Sequence, residues 1–194
     1  MFNVYGVLEG MSRIVLGVDI STNTGISVVR YENGKVEPLE TVTWSYKKEP
    51  IPILRARKYA DEMCALLDKY DPDLIIVEGY ATGARGMSTQ IIEVSAMIKF
   101  AMSAKGYNWI EVPPTSLKVF AYNKGTGSKS LMIKEVYKRW GFDVTDDNQA
   151  DAIALCMMGC NLLGMDNVPQ THLRAWDKLR DHYDYRLVLE SLVA

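Results

Sequence analysis

Three acidic residues stand where a charge is costly. Asp19 interrupts the apolar run IVLGVDI at residues 14–20, and Glu78 closes LIIVE at 74–78. Asp151 falls where the polar start of DDNQADAIALCMM turns strongly apolar. Strands buried on both faces tolerate a charge only with a partner. Taken singly, each acid has an ordinary structural explanation: a turn, a strand end, or a helix N-terminal charge that complements the dipole. Three in this order, two on strands and one on a late helix, point to a cluster. Clustered carboxylates repel until cations neutralise them, and hard oxygen donors suit Mg²⁺, with Mn²⁺ as a substitute. Two such ions about 4 Å apart would activate a water and stabilise the leaving oxygen in phosphodiester hydrolysis, with Asp19 bridging them.

The elements that must position these acids follow from periodicity. Residues 14–20 and 25–30 form two strands separated by STNTG, and Asn33-Gly34 predicts a tight hairpin into a third strand over 35–46. Leu54, Ala60, Met63, Leu66 and Leu67 recur at helical spacing up to Tyr70, where Asp71-Pro72-Asp73 stops the helix. A strand over 74–78 ends at Glu78, and Ser88 caps a helix that runs to about Lys105. A fifth strand at 108–112 precedes two shorter helices near 116–122 and 129–140, the second closed by Gly141. The last core helix spans about 147–163. The order indicates an α/β mixed sheet, three antiparallel strands and then two parallel ones, flanked by helices. In the tail, Leu173, Trp176, Leu179 and Tyr183 repeat at helix spacing, with packing on the core as the default. The division expected is an N-terminal extension over 1–13, a catalytic domain over 14–165 and a C-terminal helical tail over 166–194; Met11 is an alternative start.

Composition narrows the class. With 48% hydrophobic and 24% charged residues, the chain reads as an ordinary globular domain, and no apolar stretch is long enough to span a bilayer. Cys64, Cys156 and Cys160 form no CxxC pair, which fits reduced thiols in a cytoplasm better than zinc ligands. Net charge is −2, yet from Lys99 to Trp140 eight basic residues face two acidic ones. Lys118, Lys124 and Lys129 lie in that segment, and their concentration suggests a surface that meets phosphates.

GVDISTNTG, IIVEGYA and DDNQADAIAL, in this order and spacing, resemble the three acidic motifs of RuvC-like Holliday junction resolvases, particularly the phage-borne kind. The resemblance covers roughly residues 14–163. It implies a ribonuclease H-like fold, a homodimer, a divalent-metal site at Asp19, Glu78 and Asp151, and paired cuts in four-way or otherwise branched DNA. It also implies a phage-encoded enzyme acting in a bacterial cytoplasm. The family places a fourth ligand three residues before the last acid, where this chain has Asn148, with Asp147 one residue earlier. Both share a helix face with Asp151, and the anionic Asp147 is the better cation ligand. Lys118 and Lys129 match the family's DNA-contacting lysines. Tyr80 matches the position from which the family wedges a junction, and Arg85 is a candidate phosphate contact.

Two other readings compete. DISTNTG also resembles the phosphate loop of sugar kinases and actin-like ATPases, but those need two lobes and this chain offers one. A non-catalytic DNA-binding or scaffolding module would have no need of the acids. A dimer follows from symmetry too, since paired nicks require two sites about a two-fold axis. The helix over 88–105, with Ile91, Ile92, Val94, Met97, Ile98 and Met102, is broad enough for both core and partner.

Overall fold

A computed structural model describes residues 11–80 and 88–193 of the chain. Three strands open it: β1 (Arg13–Asp19), β2 (Thr24–Glu32) and β3 (Lys35–Trp44). The β2–β3 turn uses Asn33 (φ 49°) and Gly34 (φ 78°), the two left-handed positions that an Asn-Gly hairpin supplies. Helix α1 (Pro52–Tyr70) begins with proline in its first turn and ends on left-handed Asp71. Strand β4 (Leu74–Glu78) returns parallel to β1, and α2 (Thr89–Ala104) is capped by the Ser88 hydroxyl, which accepts from the Ile91 amide. Strand β5 (Ile110–Val112) lies parallel to β4 at the sheet edge.

The remaining helices are α3 (Pro114–Tyr122), α4 (Lys129–Trp140) and α5 (Asp147–Leu162). Helix α3 starts at Pro114, two residues before the expected position, because proline is well suited to a first helical turn. A single sheet in the order β3-β2-β1-β4-β5 results, antiparallel across the first three strands and parallel across the last three. This is the mixed, helix-flanked sheet that the sequence predicts.

Period-two alternation sorts the strand residues between two cores. Leu16, Ile75 and Val77 face the α1–α2 layer, whereas Val15, Leu74 and Ile76 face α5. Continuing the count puts Gly17, Asp19 and Glu78 on the α5 side. Helix α5 is apolar nearly all round, with Ile153, Leu155, Met157 and Met158 buried, as a helix enclosed on every side must be. Each such side chain contributes roughly 1.5–3 kcal/mol by burial. No helix among the described residues is long and apolar enough to cross a membrane.

The tail does not become the single helix its spacing suggests. Leu173–Trp176 form one 3-10 turn, and α6 (Tyr183–Val193) starts afresh. Trp176 and Leu179 are buried in the α5 core, while Tyr183 is 79% exposed. The Trp176 indole donates to Asn161 Oδ1 at 2.9 Å, which fixes the turn on the end of α5. A tertiary hydrogen bond and two large apolar anchors thus override the helical period.

Candidate active site

Asp19 ends β1 and Glu78 ends β4, so parallel neighbours deliver two carboxylates to the same end of the sheet and the same face. The third and fourth come from α5, where Asp147 and Asp151 are one turn apart. Two glycines let that helix sit directly on the strands. A Cβ on Gly17 would stand 2.1 Å from the Ala152 carbonyl oxygen, and one on Gly25 only 2.0 Å from that of Asn148. Any side chain at either position would push the head of α5 off β1 and β2, and its two acids with it.

The start of α5 is further tied down by Asp146. Its carboxylate accepts from the Asn148 amide at 2.9 Å, from Asn148 Nδ2 at 2.7 Å and from Thr43 Oγ1 on β3 at 2.5 Å. Burial pushes the Asp146 acid up, but these hydrogen bonds outweigh it and hold the group below its ordinary value. The N–H and Nδ2 of Asn148 are thus engaged in the cap, and Asp147 carries the charge at that level of the helix. Asp146 is thus the capping acid of α5, and its link to Thr43 has no local sequence signal.

The electrostatics are those of a crowded acidic site. Asp19 is 6% exposed. Burial, then the charge of Glu78 and a hydrogen bond shared with it, push Asp19 well above the ordinary carboxylate range, and Asp147 adds to the shift. Burial raises Glu78 to about 7, with the Asp151 charge acting in the same direction. Asp151 is also pushed up to about 7, by burial and then by Asp19. Lys118 on α3 opposes both shifts. Lys129, the first residue of α4, pairs with Asp147 at 2.5 Å, and its charge reaches Asp19 and Asp151.

Beside the acids lies a residue that sequence reading missed. The Tyr122 hydroxyl is buried and has no hydrogen-bond partner among the described residues; burial and then the Asp151 charge raise its pKa. Its apolar neighbours on α3 gave no hint of this, since the spacing assigns it simply to the core.

The remaining candidates are dispersed. Lys124 is exposed between α3 and α4. Tyr80 follows the end of β4, with Lys99 Nζ 4.7 Å above its ring. Arg85 lies outside the described residues.

Among the described residues, no three His, Cys, Asp or Glu side chains form a metal-binding group. Asp19 and Glu78 share a hydrogen bond, and Lys129 engages Asp147. The donor set nonetheless fits a divalent cation. Four carboxylates supply hard oxygens, their mutual repulsion is the cost a cation relieves, and the orphaned Tyr122 hydroxyl leaves polar capacity beside them.

A scan against protein-family models and a sequence search of curated proteins find no match. Solved structures do match. Thermus thermophilus RuvC superposes with a TM-score of 0.67 at 17% identity, over 80% of this chain and 98% of that one. The fold is that of RuvC. The same protein in complex with Holliday junction substrate gives a TM-score of 0.69, again at 17% identity with 80% and 98% coverage. The yeast mitochondrial Holliday junction resolvase Ydc2 matches at 0.51 and 15% identity, covering 94% of this chain and 88% of its own. The mixed, helix-flanked five-stranded architecture expected from the sequence is thus shared with these structures.

Proposed function

We propose that the chain is a metal-dependent endonuclease that hydrolyses phosphodiesters in branched DNA, four-way junctions foremost. The observation that carries this reading is the convergence of Asp19, Glu78, Asp147 and Asp151 where β1, β4 and α5 meet, on the fold of RuvC. Mg²⁺ or Mn²⁺ held there, as two ions, would supply an activated water and stabilise the leaving oxygen.

The chain's own residues do the rest. Asp19, the most deeply buried of the four acids, would hold the metal together with Glu78 and Asp151. Asp147 would be the fourth ligand, since its carboxylate attracts a cation better than the Asn148 amide, whose Nδ2 is engaged by Asp146. With a cation held at Asp147, Lys129 would be free of its ion pair to face the phosphate, and Lys118 would join it. Both lysines then oppose the negative charge that grows on the phosphoryl oxygens. Lys124 extends the basic surface along the DNA backbone, Tyr80 stands at the junction side of Glu78, and Arg85 is a further phosphate contact.

The functional unit is a homodimer, which brings two sites to paired strands. Exposed apolar residues support this. Ile92 and Phe100, two turns apart on α2, are 46% and 68% exposed, whereas Val94, Ile98 and Met102 of the same helix are buried.

The test is cleavage of synthetic four-way junctions with Mg²⁺, wild type beside Asp19→Asn. Paired nicks by the wild type and none by the variant are expected. A wild type that binds junctions and never cuts them, with either Mg²⁺ or Mn²⁺, would leave a non-catalytic DNA-binding module.

A further inference from the structure

A groove of about 590 Å³ runs beside the edge strand β5 and is roofed by the start of α6. Gly79 and Tyr80, which directly follow Glu78, form one end of it; Trp109 and Glu111 line β5, and Tyr183 and Asp184 come from the tail. The walls are tied together. Gly79 donates its amide to the Val112 carbonyl at 2.8 Å, and the otherwise unpaired edge amide of Glu111 donates to Asp184 Oδ2 at 2.9 Å. The Glu111 carboxylate is held by Lys99 at 2.6 Å and by the Trp109 indole at 3.2 Å. Three aromatic rings therefore line a space whose acids are already engaged.

We propose that this groove receives an unpaired nucleobase of the DNA whose phosphodiester lies at the carboxylate cluster, stacked on Trp109 and Tyr183. The inference rests on the nuclease reading above. Its occupant is set by chemistry. Among the described residues no lysine or arginine lines the groove while two acids do, and Lys99 beside it is already paired with the Glu111 carboxylate, which disfavours the phosphate backbone. Flat aromatic faces suit any base, and the Asn108 amide and His182 ring add donors and acceptors for a base edge. Continuity supplies the substrate: Trp109 and Glu111 alternate onto the α1–α2 side of β5, but Gly79 and Tyr80 at the end of the groove directly follow Glu78, so a strand leaving the acids around the end of β4 meets it. A 79% exposed tyrosine at the head of a helix has little packing reason to be aromatic, whereas a stacking platform requires it. Thermus thermophilus RuvC is matched over 98% of its length by only 80% of this chain.

The experiment measures binding of the full-length protein to a short oligothymidylate, to the same length of duplex and to a four-way junction, by fluorescence anisotropy. Tyr183→Ala is expected to weaken oligothymidylate binding about fivefold to tenfold, Tyr183→Phe to restore it, and duplex affinity to stay constant. Equal oligothymidylate affinity in wild type and Tyr183→Ala would overturn the proposal, and junction cutting by that same wild type would show the nuclease reading intact. A parallel loss on duplex would overturn it as well, by assigning Tyr183 to general folding or backbone contact. A lower sedimentation mass for Tyr183→Ala with unchanged oligothymidylate affinity would give the groove to a second copy of the chain instead.

Discussion

Lys129 Nζ lies 2.5 Å from Asp147 Oδ2, an ion pair between the first residue of α4 and the first residue of α5. Lys129 is 80% exposed on its side-chain surface, so the pair adds little to stability. Its meaning is electrostatic: an ammonium occupies the charge that a bound cation would neutralise. Lys129→Ala is expected to leave the melting temperature unchanged, to weaken DNA binding across all sequences, and to reduce the slope of log affinity against log salt by about 1. Lys118→Ala is expected to give the same change of slope. A slope equal to that of wild type would remove these lysines from the DNA interface.

The acid cluster sets a pH dependence. Glu78 and Asp151 are both pushed up to about 7 from ordinary values of 4.5 and 3.8. Folded groups with raised carboxylate pKa values stabilise the protein fully at low pH, and that contribution is lost as pH climbs through 7. Without divalent cations, the unfolding free energy should therefore fall between about pH 4 and pH 8 through this cluster. Mg²⁺ would bind the acids in their deprotonated form, so any rise in melting temperature it produces should be larger at pH 8 than at pH 5.5. An equal Mg²⁺ effect at both values would show that these acids are not the ligands.

Asp19→Asn isolates charge from shape. An amide of nearly the same size removes a buried negative charge from among three others. In metal-free buffer at pH 8, the variant should melt higher than wild type while cutting no junction. A lower melting temperature would mean that Asp19 has a structural role that repulsion does not capture.

The cap on α5 is a positioning device. Asp146→Ala removes the acceptor for Asn148 and Thr43, with an expected stability cost of about 1 kcal/mol. Because the same contact orients Asp147, cleavage should fall by more than the lost stability explains. Titrating Mg²⁺ at constant DNA reads this directly as a higher metal requirement, and an unchanged requirement would confine Asp146 to capping.

Gly25→Ala tests the close approach of α5 to the sheet. The new methyl would meet the Asn148 carbonyl carbon at 2.4 Å as well as its oxygen, so α5 must shift. A cost of about 1–3 kcal/mol is expected, together with lost cleavage at temperatures where the variant is fully folded. Calorimetry beside a junction assay separates the two.

What could be read from the sequence is what local chemistry dictates. Asn33-Gly34, the Asp71 stop, the Ser88 cap and the Gly141 terminus each act within a few residues, and each stands where it was expected. Strand alternation is equally local, so the facing of Asp19 and Glu78 toward one side follows from counting. The start of α3 was displaced because Pro114 acts as a helix initiator, a local signal that reads equally well as a breaker.

The identities of the acids were thus fixed by the chain itself: two strand ends and one helix head, with charges too costly for a core to keep without purpose. What the head of α5 meets across the fold was decided only in three dimensions: Thr43, 103 residues away in sequence, reaches Asp146, and Lys129 reaches Asp147. The tail's path, Tyr122's orphaned hydroxyl and the groove along β5 are of the same kind. Each depends on which distant element arrives alongside, and packing across a sheet has no periodicity that a single sequence can print.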